Sequence, residues 1–411
     1  MKKLVISIIF IPLFINMLHS QTEEQILNIL HEFNRDSIQQ TVLDLQAFPN
    51  RLVFHGNREV AQYLTNRLHR YGIENATIDS FYVERQTGFG SIHQYLYNVK
   101  GSIIGEQIPD SFLIIGSHLD AISFDENQNL IYDQTGGADD NASGIAVMIE
   151  MARIFQKFNI KPTITIDFMA FDGEELGLIG SAYDAQQRRE HDQKLSLMLN
   201  NDMISHTLTD EWEVILFWYP NAMNIVTTTQ QLCENYIPRL TPYVHPNEES
   251  NYLSHFSDSY SYYQQNFKAL FFCEKDFSPY YHTLSDVAAN YNFDYACEVA
   301  KLNFVTLFHY AVANIPLSAN QSVSHNLGKI QVYPNPASHS TNVSFNLSEN
   351  TTVAITLFDI TGKQVSESIF TQTFPEGNHT ITINLSELTA GVYFCKISTN
   401  QKSEIRKLII Q

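Results

Sequence analysis

The 411-residue chain reads as an α/β protein whose sheet is mostly parallel, followed by a small all-β sandwich. Two observations predict this. Short apolar runs alternate with amphipathic stretches as far as residue 313, the pattern of a parallel sheet covered on both faces. After Pro316 the texture changes to short segments of alternating apolar and polar residues separated by turns.

Taken in order, the apolar spacing from Thr22 to Tyr71 is helical, interrupted near Pro49. Phe112-Leu113-Ile114-Ile115-Gly116 is a short apolar run bounded by polar residues, as a buried strand requires. Ser143 to Phe158 follows as an amphipathic helix, with Ser143 as its expected N-cap. Ile164 to Phe171 is a second strand, and Gly177 to Arg189 a second helix. Val214–Trp218 and Ala269–Phe272 add strands before a closing helix over Asp286–Ala313. The polar stretch within 317–328 is a linker between a body of residues 21–316 and a tail of residues 329–411. In the tail, Val343–Leu347, Val353–Phe358, Thr380–Leu385 and Val392–Ile397 alternate with period two, and Pro334-Asn335-Pro336 and Thr361-Gly362-Lys363 mark turns.

The first twenty residues stand apart. Lys2 and Lys3 precede an apolar run from Leu4 to Leu18, and Ser20 offers a small residue for cleavage, the layout of a secretory signal peptide. The run is short for the ~20 residues that a membrane span needs. The expectation is export through the periplasm, with no membrane span after cleavage.

The net charge of −19 lies in the body, because the tail's six basic residues match its six acidic ones. Nucleic acid is excluded as a partner, since phosphate binding needs a basic footprint. The 4 cysteines are too few for a disulfide framework and their spacing fits no metal pattern.

Candidate functional residues stand where strands end, which is where parallel α/β sheets bind ligands. His118-Leu119-Asp120 directly follows the strand at 112–116, and a carboxylate two residues on can turn back to orient the imidazole. Asp139 and Asp140 precede a helix; alone, they are equally explained as charge favourable to the helix dipole. Glu174 and Glu175 follow the strand ending at Phe171, where one can bind metal while the other faces water. Asp202, and the segment Tyr281-His282 with Asp286 beyond it, complete the set. Nitrogen and oxygen donors without thiolate suit zinc, and a shared carboxylate can hold two ions ~3.5–4 Å apart.

At these residues the chain resembles the zinc exopeptidase family of bacterial leucyl aminopeptidases, over roughly residues 40 to 313, and Phe48-Pro49-Asn50-Arg51 looks like the family's N-terminal region. That resemblance implies an eight-stranded mixed sheet between helices and a secreted two-zinc aminopeptidase acting on peptides with a free N-terminus. It places His118 and Asp202 on one zinc, Glu175 and His282 on the other, and Asp140 between them. It makes Glu174 the general base, Asp120 the partner of His118, and the Asp140–Asn141 peptide cis. Asp139 is then a neighbour rather than a ligand, and Tyr281 a donor to the oxyanion. The sequence departs from the family at Leu284, where Pro is frequent, and at Ser259 in Ser257-Asp258-Ser259, where His is frequent.

The tail motifs Val332-Tyr333-Pro334-Asn335-Pro336-Ala337, Asp359-Ile360-Thr361-Gly362-Lys363, Leu388-Thr389-Ala390-Gly391-Val392-Tyr393 and Lys407-Leu408-Ile409 resemble the C-terminal sorting domain of type IX secretion. The resemblance implies the type IX machinery as a partner and a secreted or cell-surface location. Two other readings compete for the body: a single-zinc acyltransferase like glutaminyl cyclase, and a non-catalytic surface receptor on the same fold. Metal stoichiometry separates the first; loss of ligand residues would mark the second, yet every candidate is in place.

Overall fold

The structure, a computed structural model, describes residues 24–246, 250–312, 330–347, 350–359, 364–365, 370–386, 388–399 and 403–411. The expected signal segment 1–20, the linker 317–328 and the Thr361-Gly362-Lys363 turn lie outside these. The chain separates into two units, Met1–Leu317 and Ser318–Gln411.

The first unit opens with helical residues 24–30 (α1), α2 (Arg35–Gln46) and α3 (Arg58–Arg70). The long helical stretch of the sequence is thus three helices, and the breaks have local causes. Asn34 caps α2 by accepting from the backbone N–H groups of Asp36 and Ser37. Pro49 and a single turn at Val53–His55 separate α2 from α3.

The sheet has eight strands in the order β1-β2-β4-β3-β5-β8-β6-β7. These are β1 (Thr77–Thr87), β2 (Gly90–Ile103), β3 (Ile108–His118), β4 (Ile164–Phe171), β5 (Lys194–Asn201), β6 (Trp212–Phe217), β7 (Leu240–Tyr243) and β8 (Ala269–Glu274). The central run β4-β3-β5-β8 is parallel, as is β6 with β7. The β1–β2 hairpin joins β4 antiparallel, and β6 joins β8 antiparallel, so the sheet is mixed and mostly parallel. Every residue of β4 is buried, as expected for a strand covered on both faces.

Helices α4 (Gly144–Lys157), α6 (Met223–Tyr236) and α8 (Phe293–Ala311) pack with α2 and α3 on one face. Helices α5 (Ile179–Glu190) and α7 (Ser259–Gln264) cover the other. Side chains alternate accordingly: Leu113 and Ile115 join the larger core, Ile114 the smaller. Ser143 does not cap α4 as expected. Its hydroxyl donates to the carbonyl of Asp139 at 2.7 Å and accepts from Ile204 N–H, because the chain enters α4 through an irregular coil over Ala138–Ser143. All four cysteines are buried free thiols. Among the described residues no helix is long and apolar enough to cross a membrane.

The second unit is a pair of antiparallel sheets, of three strands (β13-β10-β9) and four (β12-β11-β14-β15). They comprise β9 (Gln331–Tyr333), β10 (Ser340–Leu347), β11 (Thr351–Phe358), β12 (Phe370–Phe374), β13 (Gly377–Asn384), β14 (Gly391–Ser398) and β15 (Ser403–Ile410). Val343, Phe345, Leu357, Ile383, Cys395 and Leu408 lie in its own core, the inward half of the period-two pattern.

Candidate metal centre

Four parallel strands deliver polar side chains to one edge of the sheet. β3 ends in His118, β4 leads into Glu174 and Glu175, β5 leads into Asp202, and the segment after β8 carries Tyr281 and His282. Asp140 comes from the coil before α4, where the Asp140–Asn141 peptide is cis. Asn141 anchors this coil: its Nδ2 donates to Asn201 O at 2.8 Å and its Oδ1 accepts from Gly144 N–H at 3.0 Å.

The five predicted ligands meet as two groups that share one carboxylate. His118, Asp140 and Asp202 each offer a donor atom, all within 4.8 Å of one another, and so do Asp140, Glu175 and His282. His118 Nε2 lies 3.1 Å from Asp140 Oδ1 and 3.3 Å from Asp202 Oδ1. His282 Nε2 lies 2.9 Å from Glu175 Oε2 and 3.2 Å from Asp140 Oδ2. The two oxygens of Asp140 therefore face different histidines.

The chemistry of these groups fits cations. His282 Nε2 and Glu175 Oε1 are buried yet make no well-angled hydrogen bond. Their donor atoms gather within 4.8 Å of one another, and nitrogen with carboxylate oxygen is a zinc-type donor set. The protonation preferences carry the same message. Burial and the neighbouring Asp202 and Glu175 hold the Glu174 carboxyl well above its usual range, against the pull of His118. Burial disfavours a charged His118, but Asp202 and Glu174 outweigh it and raise its pKa.

Glu174 lies at the edge of the donor set, its Oε2 4.0 Å from His118 Nε2. Asp120 is buried behind it. Its two carboxylate oxygens accept from Glu174 N–H at 3.1 Å and Glu175 N–H at 3.2 Å, so it fixes the turn that carries both glutamates. His118 Nδ1 meets the backbone carbonyl of Asp120 at 3.1 Å, and the carboxylate stands at 3.5 Å. Tyr281 stacks on the His282 imidazole, ring centroids 3.6 Å apart, and is 39% exposed. Burial and the nearby acids raise its pKa, so its hydroxyl remains a donor. Asp139 turns away: its Oδ1 accepts from both the N–H and the hydroxyl of Ser205.

Several residues support the donors from behind, Asp286 of the predicted set among them. Asp286 accepts from the N–H groups of Asp139 and Asp140. Asp172 accepts from Asn57 Nδ2 and Tyr97 N–H, and burial pushes its carboxyl up to about 7. Gly173 has φ +83°, and a Cβ there would approach Leu96 to 2.6 Å, so the turn into Glu174 requires glycine. A cavity of about 560 Å³ opens beside the donors, with Met203, Ile215, Phe217 and Phe271 forming an apolar wall.

The fold and this donor-rich strand edge define a class, mixed α/β proteins that gather nitrogen and carboxylate donors at the carboxyl ends of parallel strands. Residues 98–306 match the model of peptidase family M28, which spans half of the chain, and the chain belongs to that family. Residues 331–411 match the secretion system C-terminal sorting domain, which assigns the second unit to type IX export and the protein to the cell surface or exterior. A probable zinc metalloprotease of Pyrenophora teres f. teres is 30% identical over 237 residues, 52% of this chain and 50% of that protein. A probable leucine aminopeptidase of Arthroderma otae is 30% identical over 218 residues, 50% of this chain and 55% of that one. The chain thus spans about half the length of these curated relatives. Among solved structures, the LapA aminopeptidase of Legionella pneumophila superposes with a TM-score of 0.57 at 22% identity, covering 76% of this chain and 78% of that one, a likeness of fold.

Proposed function

We propose that the protein is an exported zinc aminopeptidase that hydrolyses the N-terminal peptide bond of peptides, with Glu174 as general base. The observation that carries this reading is the sharing of Asp140 by two donor groups, His118–Asp202 on one side and Glu175–His282 on the other. Such a set would hold two zinc ions, which when bound polarise a carbonyl and acidify water.

The chain's own residues supply the rest. Glu174 stands beside the donor set without belonging to either group, where its carboxylate can take a proton from the attacking water and return it to the leaving amine. Asp120 keeps that carboxylate in place through the backbone N–H groups of the turn. The Tyr281 hydroxyl donates to the oxygen that gains charge. The apolar wall of the cavity receives an apolar first side chain and excludes water, while the surrounding carboxylates suit the substrate's ammonium group. The fungal relatives, a probable zinc metalloprotease and a probable leucine aminopeptidase, support this reading.

The test combines zinc analysis with hydrolysis of aminoacyl-anilides by wild type and Glu174→Ala. The variant should keep two zinc ions per chain and lose roughly 10²–10⁴-fold in kcat, the usual contribution of a positioned acid–base group. Equal turnover by both proteins would refute the role of Glu174. One zinc per chain would favour the acyltransferase reading.

A further inference from the structure

Arg51 and Arg188 head the fully buried side chains, but their surroundings differ. The guanidinium of Arg188 meets Asp184 at 2.5 Å and Asp167 at 2.8 Å, an ordinary buried ion pair on the α5 side of the sheet. Among the described residues no carboxylate oxygen lies within 4.0 Å of the Arg51 guanidinium. It donates only to backbone carbonyls, from Nη1 to Leu119 O at 3.1 Å and from Nη2 to Gly137 O, and its Nε has no partner. A buried cation without an ion pair is costly. Its charge is answered at longer range by Asp286, Asp120, Asp140 and Glu175.

The two carbonyls it holds are informative. Leu119 lies between His118 and Asp120, and Gly137 opens the coil that delivers Asp140. The main chain around Arg51 reinforces the same link. Arg51 N–H donates to Thr135 Oγ1, Thr135 N–H donates to Pro49 O, and Ala121 N–H donates to Arg51 O. Gly137 has φ +98°, and a Cβ there would run into Arg51 Nη2 and Ala121. The guanidinium is thus threaded between the His118 loop and the Asp140 coil with no room to spare.

We infer that Arg51 is a positioning residue, a buried clamp that sets the spacing between His118 and Asp140 and so the affinity of the metal site. The inference rests on the zinc reading above. Charge and geometry act in opposite directions here. Removing a cation next to the donors would by itself strengthen zinc binding, whereas loss of the clamp weakens it. Lysine keeps the charge but, as a point donor, cannot reproduce the planar fork that reaches both carbonyls.

The test measures zinc affinity of the metal-free full chain against a chromophoric chelator, for wild type, Arg51→Met, Arg51→Lys and Arg188→Lys. Fold is checked by circular dichroism. Both Arg51 variants should bind zinc about 10–100-fold more weakly, the usual effect of losing support behind metal ligands. Arg188→Lys should lower the thermal midpoint yet bind zinc as wild type does. If Arg51→Met does not fold, Arg51→Lys carries the comparison. A folded Arg51 variant that binds zinc as tightly as wild type, or more tightly, overturns the clamp. Wild type that binds no zinc overturns the metal reading and the clamp together.

Discussion

The hydroxyl of Ser257 donates to Asp202 Oδ2 at 2.6 Å, from the segment where the sequence departs from the family's pattern. Ser257 Oγ in turn accepts from Asn200 Nδ2 at 2.6 Å, so Ser257 relays between a strand end and the Asp202 carboxylate. Ser257→Ala should weaken zinc binding about 10–100-fold by freeing Asp202 to rotate. Chelator competition on the metal-free protein measures this, and an unchanged affinity would show that Asp202 is held elsewhere.

Gly144 opens α4 with helical dihedrals, where alanine normally gains about 1 kcal/mol. A Cβ there would collide with Asn201 O and come within 2.5 Å of Asn141 Oδ1 and 2.7 Å of Ser117 Oγ. Gly144→Ala should therefore destabilise the fold by about 1–3 kcal/mol, with loss of activity as Asn141 shifts. Denaturant midpoints decide the sign; a gain in stability would contradict the packing.

The pH response of the metal-free protein has a definite direction. Burial disfavours a charged His282, but Glu175 and Asp140 outweigh it and push its pKa up to about 10, against 6.5 unperturbed. Burial, with Asp140, pushes Glu175 up to about 7 from 4.5, against the pull of His282. Both folded values exceed the unfolded ones, so the folded chain binds more protons and loses stability as pH rises. The Glu175 contribution is complete below 4.5 and lost through about 7; that of His282 is complete below 6.5 and lost through about 10. Thermal midpoints in chelator should fall across this window, and zinc should flatten the curve. A midpoint that climbs with pH would be incompatible with these shifts.

In the main core, Phe304 is fully buried against the rings of Phe33, Phe155 and Phe308. Phe304→Ala should cost about 3–5 kcal/mol. Zinc content per folded chain should not change, because α8 packs on the sheet's face rather than at its carboxyl edge. Unfolding in denaturant, with metal analysis of the folded fraction, checks both halves.

What was legible in the sequence follows from how far each signal reaches. Ile164 to Phe171 is apolar apart from Thr165 and Asp167 because β4 is buried on both faces, so the sequence locates its end, and Glu174 after it, directly. The β1–β2 hairpin was not predicted: along Thr77–Thr87 only Phe81 is buried, and a largely uncovered strand leaves no apolar run. A Ser before an apolar helix normally caps it, but Ser143 already has helical dihedrals, so its hydroxyl turns back to the Asp139 carbonyl. The supporting roles of Ser257 and Arg51 depend on partners 55 and 68 or more residues away, a separation at which local pattern carries no information.

The donors are contributed by segments from residue 118 to residue 282, one strand end at a time. The last of them, His282, follows β8. On the proposed reading, the complete donor set therefore forms only once β8 is seated beside β5, late in the assembly of the sheet.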